Sequence, residues 1–396
     1  MNTQARWVEV HRLAVAGRES GIAQHVGDLV SRVWLPRSRF ADVAALSRAT
    51  LTLGPDAGAF YDLGRAQSST GQARQALASY EKALHLYREA AHPGNEAATL
   101  NSIGVVYGRF GYSERALDYF NQALPLHREV GDRAGEATAL NNIGVEYDRL
   151  QDGEQALAYF DQALPIRREV GNRAGEAITL SNIGAVYERL GDGERALAYY
   201  GQALPIHREV GDRAGEATTL SNIGAVYERL GDGEQALAYY GQALPIQREV
   251  GDRAGEAVTL SRVGAAEKLL GDPEQALVYF GQALHIYREV GDRAGEALTL
   301  NHIGLTYATL RDAERSMAYY TQALPVQREV GDRSAEAVIR YNIGMLHRVA
   351  GDLDEAIREL EIVVDLDRQV DHPDLASDTA MLEQLREERR RAQDAT

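Results

Sequence analysis

Apolar residues recur along most of the chain at spacings of three and four, in blocks that are separated by short polar breaks. In one stretch Ala137, Leu140 and Ile143 belong to a first block, and Ala156 and Phe160 belong to a second. This spacing places apolar side chains on one face of a helix. The pattern therefore predicts pairs of amphipathic α-helices.

The helix pair repeats with a period of 40 residues. Glycines fall into one column of this repeat at Gly64, Gly104, Gly144, Gly184, Gly224, Gly264, Gly304 and Gly344. One helix pair cannot bury its apolar faces alone, so consecutive pairs must stack to form a continuous core. We therefore predict an all-α fold, an α-solenoid of about eight helix-turn-helix units with helical caps.

The polar breaks contain residues that start and stop helices. Asp152 and Asn172 stand where a helix should begin, and their side chains can accept hydrogen bonds from its free N–H groups. Gly171 can supply the left-handed backbone that ends the preceding helix.

Five predicted second helices contain a proline. We expect these prolines to shape the solenoid or to shorten the second helix, because proline removes a hydrogen bond inside a helix. They are Pro125, Pro165, Pro205, Pro245 and Pro325.

Three regions are predicted along the chain. Residues 1–54 should form a mildly basic helical cap, residues 55–372 the eight repeat units, and residues 373–396 a C-terminal capping helix and tail. Residues 1–50 carry seven Arg and four acidic residues, whereas the whole chain has a formal charge of −16. Such an acidic chain is a poor match for nucleic acid or anionic lipid, so we predict neither partner.

Two motifs carry a resemblance to a known family. Leu-x-x-Ile-Gly-x-x-Tyr is followed by Ala-x-x-x-Phe/Tyr-x-x-Ala, and together they cover residues 56–370. The chain resembles tetratricopeptide repeat (TPR) proteins, and its 40-residue spacing is similar to the extended subtype of kinesin light chains, Leu-Gly-Asn repeat adaptors and arrays of bacterial signalling ATPases. The resemblance implies a right-handed superhelix whose first helices line a concave groove for a protein or peptide ligand.

Signs of catalysis are lacking in the sequence. There is no cysteine, no phosphate-binding glycine loop and no zinc or nucleophile motif, and the ten histidines are scattered. We therefore predict a binding protein and not an enzyme, with no catalytic residue, no cofactor and no metal site.

The resemblance also indicates where a ligand should bind. In that family, polar residues just before the Ile-Gly step of the first helix contact an extended peptide, and a carboxamide can both donate and accept. The matching residues are Asn142, Asn182, Asn222 and Asn342. The alternative is that these side chains tie neighbouring first helices together.

Two further sets of candidate groove residues have alternatives of their own. Arg149, Arg189 and Arg229 could bind carboxylates of a partner, or form surface salt bridges. Arg262, Glu267 and His302 depart from the consensus in neighbouring units. We expect these departures to form one patch, produced by selection for a ligand or by drift.

Two functional hypotheses follow. The leading one is a cytoplasmic scaffold or adaptor that binds a peptide or protein in its groove. The second is a signal-responsive regulator, a peptide sensor or the sensor arm of a larger switch, with the N-terminal helices as output element. No membrane partner is predicted, and self-association is possible but not indicated.

Overall fold

A computed structural model describes residues 3–394 of the chain, which form twenty α-helices and one 3₁₀ turn. Within this range the helices follow each other as pairs of similar length, and no strand is present. The predicted fold class, an all-α solenoid of helix pairs, is confirmed. No helix in residues 3–394 combines the length and apolar character that a membrane span requires.

The chain divides into two compact units, of which the first is Met1–Asp192. Its helices are α1 (Thr3–Ala16), α2 (Ser20–Trp34), α3 (Phe40–Leu51), α4 (Ala57–Ser69), α5 (Ala73–Glu89), α6 (Pro93–Arg109), α7 (Ser113–Glu129), α8 (Arg133–Arg149), α9 (Gly153–Glu169) and α10 (Arg173–Arg189), with a 3₁₀ turn at Leu35–Arg37. The first three helices and the turn precede the repeats, and the helix pairs of this unit are α4/α5, α6/α7 and α8/α9.

The second unit is Gly193–Thr396. Its helices are α11 (Gly193–Val210), α12 (Arg213–Arg229), α13 (Gly233–Val250), α14 (Arg253–Leu269), α15 (Pro273–Val290), α16 (Arg293–Thr309), α17 (Ala313–Val330), α18 (Arg333–Ala350), α19 (Leu353–Val370) and α20 (Leu375–Asp394). The helix pairs of this unit are α12/α13, α14/α15, α16/α17 and α18/α19, and α20 packs at its C-terminal end.

A glycine of the first helix lets each pair pack closely. A Cβ atom added to Gly144 would lie 2.6 Å from the Phe160 ring, and one added to Gly224 would lie 2.6 Å from the Tyr240 ring. Both rings are buried, so neither could move aside without opening the core. The glycine column of the sequence thus marks the crossing point of the two helices in a pair.

The predicted caps are present at the helix starts. Asp132 Oδ1 accepts from the backbone N–H of Gly135 at 2.9 Å, and Asn172 Oδ1 accepts from that of Gly175 at 2.9 Å. Gly171 has a φ of 66°, as the left-handed stop requires. The short polar breaks therefore fix where one helix stops and the next begins.

Proline does not shorten the second helices, and that part of the prediction is wrong. Helix α7 contains Pro125 and has 17 residues, as many as α5, which has His85 at the same position. Both side chains are exposed. A backbone carbonyl that loses its hydrogen bond on this side of the helix can bond to water, which offsets part of the cost.

Arginine–glutamate pairs link successive helices in a repeated arrangement. In the first unit, Glu136 near the start of α8 accepts from Arg128 of α7 at 2.8 Å and also pairs with Arg133. Arg133 in turn reaches Glu169 of α9 at 2.7 Å. Arg213, Arg253 and Arg293 make equivalent pairs in the second unit.

Helices without the repeat motif cover both chain ends. Val30 and Trp34 of α2 and Val43 of α3 pack in one cluster with Leu63 of α4. At the other end, Leu382 of α20 is buried in a cluster with residues of α19. The proposed boundaries at residues 54 and 372 remain a prediction.

Candidate functional site

A polar cavity of 470 Å³ lies between the first helices α4, α6 and α8 of the first unit. Its walls carry hydroxyl, carboxamide, imidazole and guanidinium groups. They include Tyr61, Arg65, Ser68, Asn101, Ser102, His127, Asp132, Thr138 and Asn142. The cavity thus offers many hydrogen-bonding groups that are attached to rigid helices.

A buried histidine orders one wall of this cavity. His127 Nδ1 lies 2.9 Å from Asp132 Oδ2, and its Nε2 lies 2.9 Å from Asn101 Nδ2. A carboxylate only accepts, so Nδ1 carries the proton and Nε2 accepts from Asn101. Gly135 makes room for this arrangement, because a Cβ there would lie 2.1 Å from His127 Nδ1.

Asn101 is left with an unused acceptor. The residue is 8% exposed and its Oδ1 has no hydrogen-bond partner among the described residues. Asn142, on the next first helix, is half-buried in the same cavity, and no hydrogen bond to its carboxamide is found within residues 3–394. A buried polar atom without a partner costs about 1–3 kcal/mol, so Asn101 Oδ1 lowers the stability of this wall.

The other candidate asparagines have different surroundings. Asn182 Nδ2 donates to Asn141 Oδ1 at 3.2 Å, and Asn342 Nδ2 donates to Asn301 Oδ1 at 3.2 Å. Both bonds join a first helix to the preceding one, as the structural alternative requires. Asn222 is half-buried on α12. Of the four candidates, Asn142 is the one that lines the polar cavity.

Arg149 and Arg189 bind the preceding first helix. Arg149 Nη1 donates to the backbone carbonyl of Gly108 and to Glu146, both at 2.7 Å. Arg189 pairs with Asp148. Salt bridging and helix tying therefore engage the guanidinium groups of Arg149 and Arg189. Burial lowers the pKa of Arg229, and the charge of Arg262 lowers it further.

The three consensus departures have different neighbours. Arg262 interacts with Tyr240, and burial raises the pKa of Glu267, with a further rise from Asp272. The His302 ring lies 5.3 Å from that of Phe280.

His302 is also poorly supplied with partners. Burial first and the charge of Lys268 second lower its pKa to about 4, and its Nδ1 has no hydrogen bond within the described residues. The single patch expected from Arg262, Glu267 and His302 therefore stays a prediction.

A second cavity of 360 Å³ lies between α16 and α18 of the second unit. Its lining is mainly apolar, and Leu298, Val330 and Val338 are exposed in it. Gln327 and Asn301 are its main polar residues besides Asp332, a helix cap.

Sequence reasoning missed the residues that make the polar cavity. Tyr61, Arg65, Asn101 and His127 were not among the candidates, although Asn101 stands next to the candidate column. The sequence contains one signal: five other repeats have threonine at the repeat position of Ala139. Within residues 3–394, no group of three or more His, Asp or Glu side chains has a metal-binding arrangement.

Comparison with known families gives matches across the repeats. A family model described as tetratricopeptide repeat matches residues 95–169, 175–249 and 255–329, and a second model of the same description matches residues 57–89. No curated protein matches the sequence.

Several solved structures have a similar fold. A Signal Transduction ATPase with Numerous Domains (STAND) protein with a tetratricopeptide repeat sensor, from Pyrococcus horikoshii, aligns with a TM-score of 0.69 and 14% identity over 91% of this chain and 55% of that one. The apo quorum sensor NprR from B. thuringiensis aligns with a TM-score of 0.62 and 19% identity over 85% of this chain and 97% of that one. A Rap protein complexed with Competence and Sporulation Factor aligns with a TM-score of 0.59 and 14% identity, over 83% and 98% respectively. At these identities the likeness concerns the fold.

Proposed function

Because this chain belongs to the tetratricopeptide repeat family, we propose that it is a scaffold or adaptor that binds a peptide segment of a protein partner. The binding site is the polar cavity between α4, α6 and α8. The observation that carries the proposal is the hydrogen-bonding lining of this cavity, to which Asn101 and Asn142 contribute from neighbouring first helices.

The chemistry of the cavity suits a peptide better than a charged metabolite. Tyr61, Ser102 and Asn142 offer neutral donors and acceptors, and Arg65 is the cationic side chain on the wall. A main-chain peptide group needs one donor and one acceptor, which carboxamides and hydroxyls both provide. The volume of 470 Å³ accommodates a few residues of an extended chain.

Two of the similar structures are described as sensing or binding another molecule. One is a quorum sensor, and the other is a Rap protein in complex with Competence and Sporulation Factor. Their low identity to this chain leaves the choice of ligand to its own residues. We accordingly base the site on the cavity and not on a correspondence of binding residues.

The proposal is tested by selecting a peptide for the full chain. Random twelve-residue peptides displayed on phage are enriched on the immobilised protein, and the dissociation constant of the best peptide is measured by calorimetry. We expect Asn142→Leu to weaken binding about tenfold or more, because one hydrogen-bonding wall is lost. The matched control is Asn222→Leu, which alters the same repeat position in the second unit and should leave the affinity unchanged.

Either of two results would contradict the proposal. One is the absence of any enriched peptide. The other is a selected peptide that binds wild type and Asn142→Leu equally while Asn222→Leu weakens it. Far-ultraviolet circular dichroism of both variants must match wild type for the comparison to count.

A second candidate function is a peptide-responsive regulator that uses the N-terminal helices as output. Its support is an exposed apolar face on α1, where Trp7 is 40% and Leu13 56% exposed. Helix α4 connects this region to the cavity: Tyr61 lines the cavity, while Asp62, the next residue, interacts with Ser31 of α2. A ligand that moves α4 would therefore change the packing of α2.

Hydrogen–deuterium exchange separates the two functions. The selected peptide is added at saturation, and exchange is followed in α1 and α2 as well as in α4, α6 and α8. A regulator predicts altered protection in α1 and α2. A plain scaffold predicts changes confined to the helices that line the cavity.

A further inference from the structure

A buried arginine near the end of α9 has no counter-charge. Arg167 is 8% exposed, and no hydrogen bond or ion pair to its guanidinium is found within residues 3–394. Burial lowers the pKa of this side chain. Proteins rarely bury a cation without a partner, because removing the charge from water is costly. Arg167 therefore carries a charge that no protein group neutralises in the described part of the chain.

The same repeat position has an acidic neighbour in other units. His127 Nδ1 lies 2.9 Å from Oδ2 of the helix cap Asp132, and His207 Nδ1 lies 2.9 Å from Oδ2 of the helix cap Asp212. The cap that follows Arg167 is Asn172, which is neutral, whereas α8, α12, α14, α16 and α18 all begin after an aspartate. The unit with the permanent cation is thus also the unit whose cap has no carboxylate.

Asn172 adds a second donor beside the guanidinium. Its Oδ1 accepts from the backbone N–H of Gly175 at 2.9 Å, as Asp132 Oδ1 does from Gly135. A backbone N–H needs an acceptor, so the amide orientation follows and Nδ2 takes the place that Oδ2 has in Asp132. No hydrogen bond to this Nδ2 is found among the described residues. A donor therefore stands next to a cation where two other units have a carboxylate.

Both donors lie at the start of α10. A Cβ added to Gly175 would lie 2.5 Å from Arg167 Nη1, which places the guanidinium against the first turn of this 17-residue helix. The free N–H groups and the dipole at a helix start favour an anion. The nearby carboxylate of Glu176 is already engaged by Arg168, at 2.7 Å, and by Arg173.

The two donors can be reached from solvent. Nε of Arg167 is enclosed by protein, but its two terminal nitrogens keep accessible surface. Asn172 is half-buried and contributes to the lining of the polar cavity. An anion that enters from solvent can therefore contact both side chains.

We propose that Arg167 and Asn172 bind one small oxyanion, a carboxylate or an inorganic phosphate, at the N-terminus of α10. Arg167 donates from its terminal nitrogens and Asn172 from Nδ2, and the oxyanion takes the place that the carboxylate of Asp132 has beside His127. A planar guanidinium can donate two parallel hydrogen bonds to two oxygens of such a group. The inference goes beyond the proposed function, because this site is built from a second helix and the turn after it.

The enclosed Nε–H of Arg167 gives a direct readout on the full chain. Its NMR resonance is assigned by its loss in Arg167→Gln, since glutamine stands at this position in other units. Wild type is titrated separately with sodium acetate and sodium phosphate, with sodium chloride keeping the ionic strength constant. We expect a saturable shift with at least one oxyanion. A response to acetate alone assigns the site to the carboxylate of a larger ligand, and a response to phosphate assigns it to a free inorganic anion.

Asn172→Asp is the decisive variant, because its new carboxylate should pair with Arg167 as Asp132 pairs with His127. The variant should fold at least as stably as wild type, and its affinity for the oxyanion should fall at least about tenfold, since a charge-assisted bond is already made. Arg168→Gln is the matched control: it removes the neighbouring exposed cation and should keep the response.

The inference is overturned if neither oxyanion gives a saturable shift, if Asn172→Asp binds as tightly as wild type, or if Arg168→Gln loses the response too. Thermal unfolding supplies a second measurement. Acetate or phosphate should raise the midpoint of wild type more than that of Arg167→Gln, and equal rises would also contradict the site.

Discussion

The polar cavity of the first unit and the apolar cavity of the second are built from the same repeat positions. Thr138 in the first corresponds to Leu298 and Val338 in the second, and His127 corresponds to Gln327. The backbone around them is the same helix-turn-helix. A few side chains in an otherwise uniform repeat therefore decide whether a cavity is lined mainly by hydrogen-bonding or by apolar groups.

The two cavities also differ in how the first helices are joined. Between α16 and α18, Asn342 Nδ2 donates to Asn301 Oδ1 at 3.2 Å, although Ile339 has no hydroxyl to add. Between α6 and α8, Asn101 is bound to His127, and no bond to Asn142 is found in the part of the chain that the structure describes. The equivalent asparagines are therefore bonded to each other at the apolar cavity and, within the described residues, not at the polar one.

The glycine under each cavity should give the largest effect. A Cβ on Gly135 would meet His127 and Asp132, and a Cβ on Gly295 would lie 2.3 Å from the Tyr287 ring. We expect Gly135→Ala and Gly295→Ala each to lower the free energy of unfolding by about 3 kcal/mol through overpacking. Urea denaturation measures this, and Gly201→Ala, where a Cβ meets no atom within 4 Å, is the control. If either cavity glycine behaved like Gly201, that cavity floor would be less tightly packed than described.

Asp62 of α4 occupies the repeat position that Asn142 occupies in α8. Its substitution should give the next largest effect. Burial raises its pKa to about 6, a carboxylate of Asp28 adds to the rise, and Ser31, Arg65 and Arg32 oppose it. A raised pKa means that the stability it confers is complete below pH 4 and is lost as the pH rises through 6. Asp62→Asn should therefore raise the free energy of unfolding by about 2 kcal/mol at pH 8, with little difference at pH 4. Denaturation at both pH values checks the sign, and a pH-independent difference would contradict it.

His302 of α16 occupies the same repeat position as Asn142. The stability linked to its side chain should change with pH in the opposite direction to that of Asp62. Its pKa is lowered to about 4 by burial first and by Lys268 second. The stability linked to this neutral ring is complete above pH 6.5 and is lost as the pH falls toward 4. His302→Asn, which restores the consensus residue, should flatten the decline in urea midpoint between pH 6.5 and 4. A variant that declines as steeply as wild type would show that the ring is not held neutral.

An uncharged apolar dye sharpens the contrast between the cavities. Nile red should bind the second unit, and Leu298→Ser should weaken its binding about fivefold, because exposed apolar area in the cavity is lost. Thr138→Leu should add dye binding in the first unit by giving its cavity an apolar wall. Fluorescence titration of the three proteins checks both changes. Equal dye binding by all three would mean that these two positions do not set cavity polarity.

The smallest predicted effect on stability distinguishes Asn182 from Asn142, which occupies the same position of the repeat. Asn182→Ala removes a hydrogen bond to Asn141 and should cost about 1 kcal/mol in the free energy of unfolding. Asn142→Ala removes no such bond and should be nearly neutral without ligand. Thermal unfolding of the two variants side by side is sufficient, and equal losses would indicate that Asn142 has a structural bond of its own.

Much of the fold could be predicted because the same pattern of residues recurs in each repeat. The glycine and aromatic columns are two halves of one contact, as Gly144 and Phe160 show, and Asp or Asn caps recur at most of the breaks. The proline prediction failed for a local reason. Pro125 lies on the exposed side of α7, where a broken backbone bond does not have to end the helix.

The site was harder to predict from the sequence, because it is defined by a missing bond. Asn142 and Asn182 are equivalent in the pattern, and the hydrogen bond of Asn182 is visible in the structure alone. Ala139 stands where Thr179 donates to Asn141, and in the sequence it is typical of an ordinary core residue. His127 is separated from Asn101 by 26 positions, and the 40-residue period does not predict that the two side chains are in contact.

Photo-crosslinking tests the central claim, that a peptide binds in the polar cavity, most directly. A phage-selected peptide carrying one benzophenone is irradiated with the full chain, and the adducts are mapped by mass spectrometry. Binding in the polar cavity predicts adducts on α4, α6 and α8, and their loss in Asn142→Leu. Adducts confined to α16 and α18, or unchanged in Asn142→Leu, would contradict the claim and would move the peptide to the apolar cavity or to another surface.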